Sequence, residues 1–144
     1  MLAILVKRLY NNLVGTENLR YGTLPTSADT VAANAVTLTS AAGAWTWGAW
    51  TQIALAAVVL VETQIVAVSL ENFVGAIAQG EVEIGIGVAP VGAALGRFQI
   101  ALINGNQLVK PIRIPAATAV VARYRTSTGA ADTVDAKLHT LTAF

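Results

Sequence analysis

Cysteine is absent from the 144 residues, which excludes a disulfide framework, a thiolate nucleophile and any thiolate-held metal. Charge is scarce as well. Only 12% of the residues are charged and 55% are hydrophobic, where a soluble monomer carries roughly 25% charged residues. Histidine occurs once, as His139. Long apolar runs are missing too. A membrane-crossing helix needs about 18 uninterrupted apolar residues, and the best candidate, residues 53–61, closes on Glu62, Thr63 and Gln64. At the N-terminus, Lys7 and Arg8 follow the apolar residues 2–6 instead of preceding them, the reverse of a secretory signal. No membrane partner is expected. The thin charge instead points to a surface covered by other copies of the chain or by another protein, so a homo-oligomer, dimer or trimer, is expected.

Net charge is +1, too little for the phosphate neutralisation that holds nucleic acid. Its distribution is uneven. Residues 49–96 carry Glu62, Glu71, Glu81 and Glu83 and no base, whereas residues 97–144 carry six Lys and Arg residues against Asp132 and Asp135. An acidic middle and a basic end can meet inside one fold or between neighbouring subunits.

What is present reads as strand after strand. Apolar or alternating runs cover residues 35–39, 50–55, 64–70, 81–88, 98–103, 107–114, 119–125 and 133–141, with turn residues at 42–43, 79–80, 90–96, 104–106, 115 and 127–129. About eight short strands at this spacing predict an all-β, antiparallel β-sandwich of jelly-roll type. The last strand shows the period of two most clearly. Val134, Ala136, Leu138 and Thr140 fall on one face, and Asp135, Lys137 and His139 on the other. In the run before it, Val121, Arg123 and Arg125 alternate with Val120, Ala122 and Tyr124. A jelly roll would put these two runs in different sheets, leaving Arg123 and Arg125 to meet Glu81 or Glu83 of a neighbour. Residues 1–20 are expected to form an N-terminal arm or edge strand, and residues 21–144 the sandwich domain.

Candidate chemistry is sparse. His139 shares a polar strand face with Lys137 and reads as a solvated surface histidine, with no cysteine to help it bind a metal and no serine in a nucleophile-elbow context. Glu81 and Glu83 share a face but are too equivalent to divide into acid and base. Asp132 and Asp135 lack the dense oxygen spacing of a calcium loop. Both pairs read as solvated strand charges. Gly85 and Gly87 have neither the third glycine nor the following helix of a phosphate loop; glycines at alternate strand positions mark close backbone approach or a bulge. No catalytic residue, cofactor or metal is expected. The most distinctive feature is GAWTWGAWT, which sets Trp45, Trp47 and Trp50 within six residues. Such a cluster can pack in the core, anchor an interface or bind a sugar ring.

The segments KPIRIPAATAVVARYRTSTGAADTVDAKLHTL, GAWTWGAWTQIAL and EIGIG resemble small virion proteins of tailed bacteriophages, over residues 43–144. The resemblance implies a jelly-roll cement or decoration protein on the outside of the capsid, a dimer or trimer whose partner is the major capsid protein, with no catalytic residues. It also implies alternatives, because related domains occur in tails, baseplates and head–tail connectors. Interface roles fall on Trp45, Trp47, Trp50, Arg123 and Arg125.

Overall fold

The computed structural model describes residues 19–25, 35–75, 79–100, 105–128 and 130–143. Nine strands form there: β1 (Leu19–Leu24), β2 (Val36–Thr39), β3 (Thr51–Ala54), β4 (Thr63–Val74), β5 (Gly80–Ile86), β6 (Ala93–Gln99), β7 (Gly105–Ile114), β8 (Val120–Thr126) and β9 (Thr133–Ala143). One antiparallel sheet runs β1-β9-β4-β7, with β2 also on β9, and the other runs β3-β8-β5-β6. The two sheets pack on each other, and the protein is an all-β sandwich. No helix among the described residues is long and apolar enough to cross a membrane.

The pairing is nested. β1 and β2 lie against β9, β3 against β8, β4 against β7 and β5 against β6. A ribbon that folds back at β5–β6 and winds through two sheets has jelly-roll connectivity. β1 pairs with β9 over residues 138–143 and β2 pairs with it over residues 133–136, so the two short strands share one lane. The last two strands fall in different sheets, as the alternation and spacing suggested.

Alternation explains the core. Val82 and Ile84 of β5, Val120, Ala122 and Tyr124 of β8, and Val134, Ala136 and Leu138 of β9 all turn inward and join one cluster with Leu38, Ile53, Ile65, Val68 and Leu70. Pro115 follows directly on β7, where a residue without an N–H ends a ladder.

Several expectations need correction. β1 was not anticipated, and it lies across the boundary drawn between residues 20 and 21; residues 1–18 lie outside the described residues. β6 begins at Ala93, inside the stretch read as a turn, and ends at Gln99; residues 101–103 of the expected strand lie outside the described residues. Alanine and glycine have little intrinsic β-propensity, so the strand at 93–96 is imposed by pairing with β5. Gly105 and Asn106 belong to β7 for the same reason, opposite Leu70 and Ser69 of β4.

Asp132 is not a solvated charge: it is 2% exposed. Its carboxylate accepts hydrogen bonds from Thr126 Oγ1 at 2.6 Å and from the Thr128 hydroxyl. Its N–H donates to Ser40 Oγ at 3.0 Å, and its carbonyl accepts from the Ser40 N–H at 2.9 Å. This knot ties the end of β2, the end of β8 and the start of β9.

Tyr124 is fully buried, and its hydroxyl is the buried side-chain polar atom without a hydrogen bond among the described residues. Burial, and secondarily the charge of Asp132, push its phenol above the ordinary value. An unsatisfied buried hydroxyl costs about 1–3 kcal/mol. Tyr124→Phe should therefore leave thermal stability unchanged or raise it by about 1 kcal/mol. Calorimetric unfolding showing a clear loss would mean that the hydroxyl has a partner.

Candidate functional site: a tryptophan–arginine ladder

The outer face of the second sheet is built by register. β5 and β8 pair so that Glu81 lies opposite Arg125 and Glu83 opposite Arg123. Each arginine directs two nitrogens at one carboxylate oxygen. Arg123 reaches Glu83 Oε2 with Nε at 2.7 Å and Nη2 at 2.5 Å. Arg125 reaches Glu81 Oε2 with Nε at 2.8 Å and Nη2 at 2.5 Å. All four side chains are largely shielded from water.

Tryptophans cover the arginines. The Arg123 guanidinium lies 4.3 Å from the ring centre of Trp50 and 4.9 Å from that of Trp47. The Arg125 guanidinium lies 4.4 Å from Trp47 and 5.5 Å from Trp45. The order is thus Trp45, Arg125, Trp47, Arg123, Trp50. Partly desolvated cation–π contacts of this kind contribute about 0.5–2 kcal/mol each.

The local backbone makes the stack possible. Residues 43–50 form no regular strand but run along β8, held by Trp45 N–H to Thr126 O at 2.7 Å and Gly48 N–H to Tyr124 O at 2.9 Å. Trp45 takes a left-handed conformation, φ 57°, which is costly for a bulky residue. Its carbonyl in turn accepts a hydrogen bond from Arg125 Nη1 at 3.3 Å. Gly48 allows the segment to touch β2, because a Cβ there would sit 1.8 Å from Thr39 O. Gly85 and Gly92 leave the space that the Trp50 ring fills; Cβ atoms there would lie 2.9 Å and 2.7 Å from it. The reading of Gly85 as a close-approach position agrees with this.

These contacts revise three expectations. The tryptophans are not core residues; they lie on the outer face, with Trp45 39% exposed. Glu81 and Glu83 are ion-paired rather than solvated. Arg123 and Arg125 meet the acidic middle segment of their own chain, because β5 and β8 are hydrogen-bonded neighbours. The structure brings all five nominated residues together. Sequence reading missed that they stack on one another, although the signal was present: Trp45/Trp47, Glu81/Glu83 and Arg123/Arg125 share a spacing of two.

The outer face of the first sheet holds His139. It is buried, 9% exposed, not solvated as the strand pattern suggested, because β1 and β4 crowd it from either side of β9. Its Nε2 meets Ser69 Oγ of β4 at 2.5 Å, and its Nδ1 is hydrogen-bonded to the Tyr21 hydroxyl of β1. A serine and a histidine are thus in contact. A hydrolytic triad needs a carboxylate on the other ring nitrogen, and here that place is taken by Tyr21. Ser69 also sits mid-strand, in register with β7 and β9. Asp135, on the same face, accepts from Thr37 Oγ1 at 2.5 Å and Asn72 Nδ2 at 2.8 Å. Among the described residues no cluster of three or more His, Asp or Glu is placed to hold a metal.

No protein-family model matches the chain, and no curated protein matches it either. Function is therefore read from geometry and chemistry.

Two outcomes follow. Arg123→Ala would strand Glu83 and open the stack, and should lower stability by about 2–4 kcal/mol. Arg123→Lys keeps the charge but not the planar stacking and two-donor contact, and should still lose about 1 kcal/mol. Denaturant unfolding checks both; a neutral Arg123→Ala would show that the ladder contributes nothing. The second outcome concerns pH. Burial first, and the charge of Lys137 second, push His139 below its ordinary value of 6.5. The unfolded chain therefore takes up a proton near pH 6.5 that the folded chain resists, so stability falls as pH drops from there toward the lower folded value. His139→Gln should flatten that part of the stability–pH curve.

Proposed function

We propose that the protein is a structural virion component that decorates and cements the capsid of a tailed phage through protein–protein contacts. One observation carries this reading: a sandwich whose charged outer face is closed on itself still leaves large apolar side chains in water, gathered mainly at two places. Val88, Val91 and Leu95 are exposed around the β5–β6 connection, and Leu55, Leu60 and Val61 on the β3–β4 connection, where Leu60 is 79% exposed. Exposed apolar groups on a chain this poor in charge favour a covered surface. The resemblance of residues 43–144 to phage decoration proteins supports the same reading. The partners are then the major capsid protein and further copies of the chain.

The arginine stacking weighs against the sugar-binding alternative, since guanidiniums occupy ring surfaces that a sugar would need. Reinforcing a shell asks for rigidity and contact area and no chemistry. The nested pairing, the Asp132 knot and the ladder all contribute to rigidity.

Electron microscopy of particles carrying the protein tests the reading. The expected result is density on the outer capsid surface, repeated over the shell, with a dimer or trimer in free solution by light scattering. Density confined to the tail or baseplate would assign the protein there instead, and absence from particles would remove the virion reading altogether.

A further inference from the structure

Both sheets end on the same side of the sandwich. Among the described residues β6 is the outermost strand of one and β7 of the other, and between them lies a cleft of about 290 Å³. Leu95, Phe98, Val109 and Ile112 give it an apolar lining, and Arg97, Lys110 and Arg113 stand around it. All three cations are exposed. Arg113 pairs with Glu62, while no ion pair engages Arg97 or Lys110 among the described residues. The cleft is apolar within and positive at its rim.

Among the described residues the two edges differ as templates for pairing. β7 carries Pro111, which has no N–H to offer, and its register with β4 shifts between Ile65 and Ala67; proline and bulges are devices that block edge pairing. β6 has a register shift beside Leu95 but then runs unbroken from Gly96 to Gln99 against β5. Its side chains also alternate usefully. Phe98 packs toward the core, whereas Arg97 lies opposite Glu83 on the outer face.

We propose that this side of the sandwich binds an extended acidic segment of a partner protein, which adds a strand to β6. Strand addition takes affinity from backbone hydrogen bonds and specificity from alternate side chains. Apolar residues of the segment would turn into the cleft beside Phe98 and Ile112, and carboxylates would turn outward toward Arg97, with Lys110 supplying further positive charge. The inference rests on the reading of the protein as one that works through protein contacts, and it names the chemistry of one such partner.

The test titrates the full chain with the peptide acetyl-Val-Glu-Val-Glu-Val-Glu-Val-amide and follows backbone amide chemical shifts. Shifts should concentrate on residues 93–99 and 109–113 and weaken with added salt. The double variant Arg97→Glu, Lys110→Glu alters only exposed side chains and should weaken binding about tenfold or more, as reversal of rim charges does. Two control peptides sharpen the result. One replaces glutamate with lysine and should not bind. The other is N-methylated at alternate residues and should fail because it cannot extend the sheet. Shifts elsewhere, no shifts at millimolar peptide, or equal binding of either control would overturn the proposal. Particle attachment separates this site from the broader reading. If the double variant still decorates particles normally, the site is wrong and the decoration reading stands. If the peptide binds as expected but the wild-type protein is absent from particles, the site stands and the decoration reading falls.

Discussion

The contact on which most of the structure turns is the outer face of β8, where Arg123 and Arg125 are held between carboxylates of β5 and indole rings of residues 45–50. Each guanidinium has carboxylate oxygen in its plane and an aromatic ring over it, so most of its charge is met inside the protein. A half-desolvated arginine without such partners would be strongly unfavourable. The same contact fixes the register of β5 on β8, since a slip by one residue would turn the charges into the core. It also clamps the irregular segment before β3, adding to the two backbone hydrogen bonds that lay it along β8.

The two ends of the molecule are closed in different ways. At one, Asp132 gathers Thr126, Thr128 and Ser40 into a buried polar knot where β2, β8 and β9 meet. At the other, Trp50 lies against Gly85 and Gly92 and joins the β5–β6 connection to the stack. Buried polar groups of this sort are stabilising only when every partner is in place. Tyr124 is the exception, a core aromatic whose apolar ring is well packed and whose hydroxyl meets no partner among the described residues.

Rigidity of the faces contrasts with what remains open. The first sheet covers its histidine with Tyr21 and Ser69, and the second covers its arginines with tryptophan. Among the described residues, apolar side chains and the outer edges of β6 and β7 lie at the rims instead. That division would serve the role proposed above, in which a stiff body bears load and the rims supply contact area.

Much of the fold was legible in the alternation of side chains. The period of two in residues 119–125 and 133–141 set which residues face inward, and the spacing of turns implied a two-sheet sandwich, because half-buried strands must share one core. Less was legible where local preference is weak. β1 lies beside a segment without clear alternation, and the alanines and glycine at 93–96 become a strand only because β5 offers them a ladder. The environments of His139 and Asp132 were misread for a related reason. A polar residue on a strand's outer face looks solvated until neighbouring strands and turns, distant in sequence, are laid over it. The sequence by itself thus determined the fold class, the inward-facing residues and the three matched pairs of tryptophan, glutamate and arginine. Only the tertiary structure decided that those pairs stack into one ladder within the chain, because that depends on which strands become neighbours. Long-range pairing is set by the packing of the whole core, not by any local run of residues.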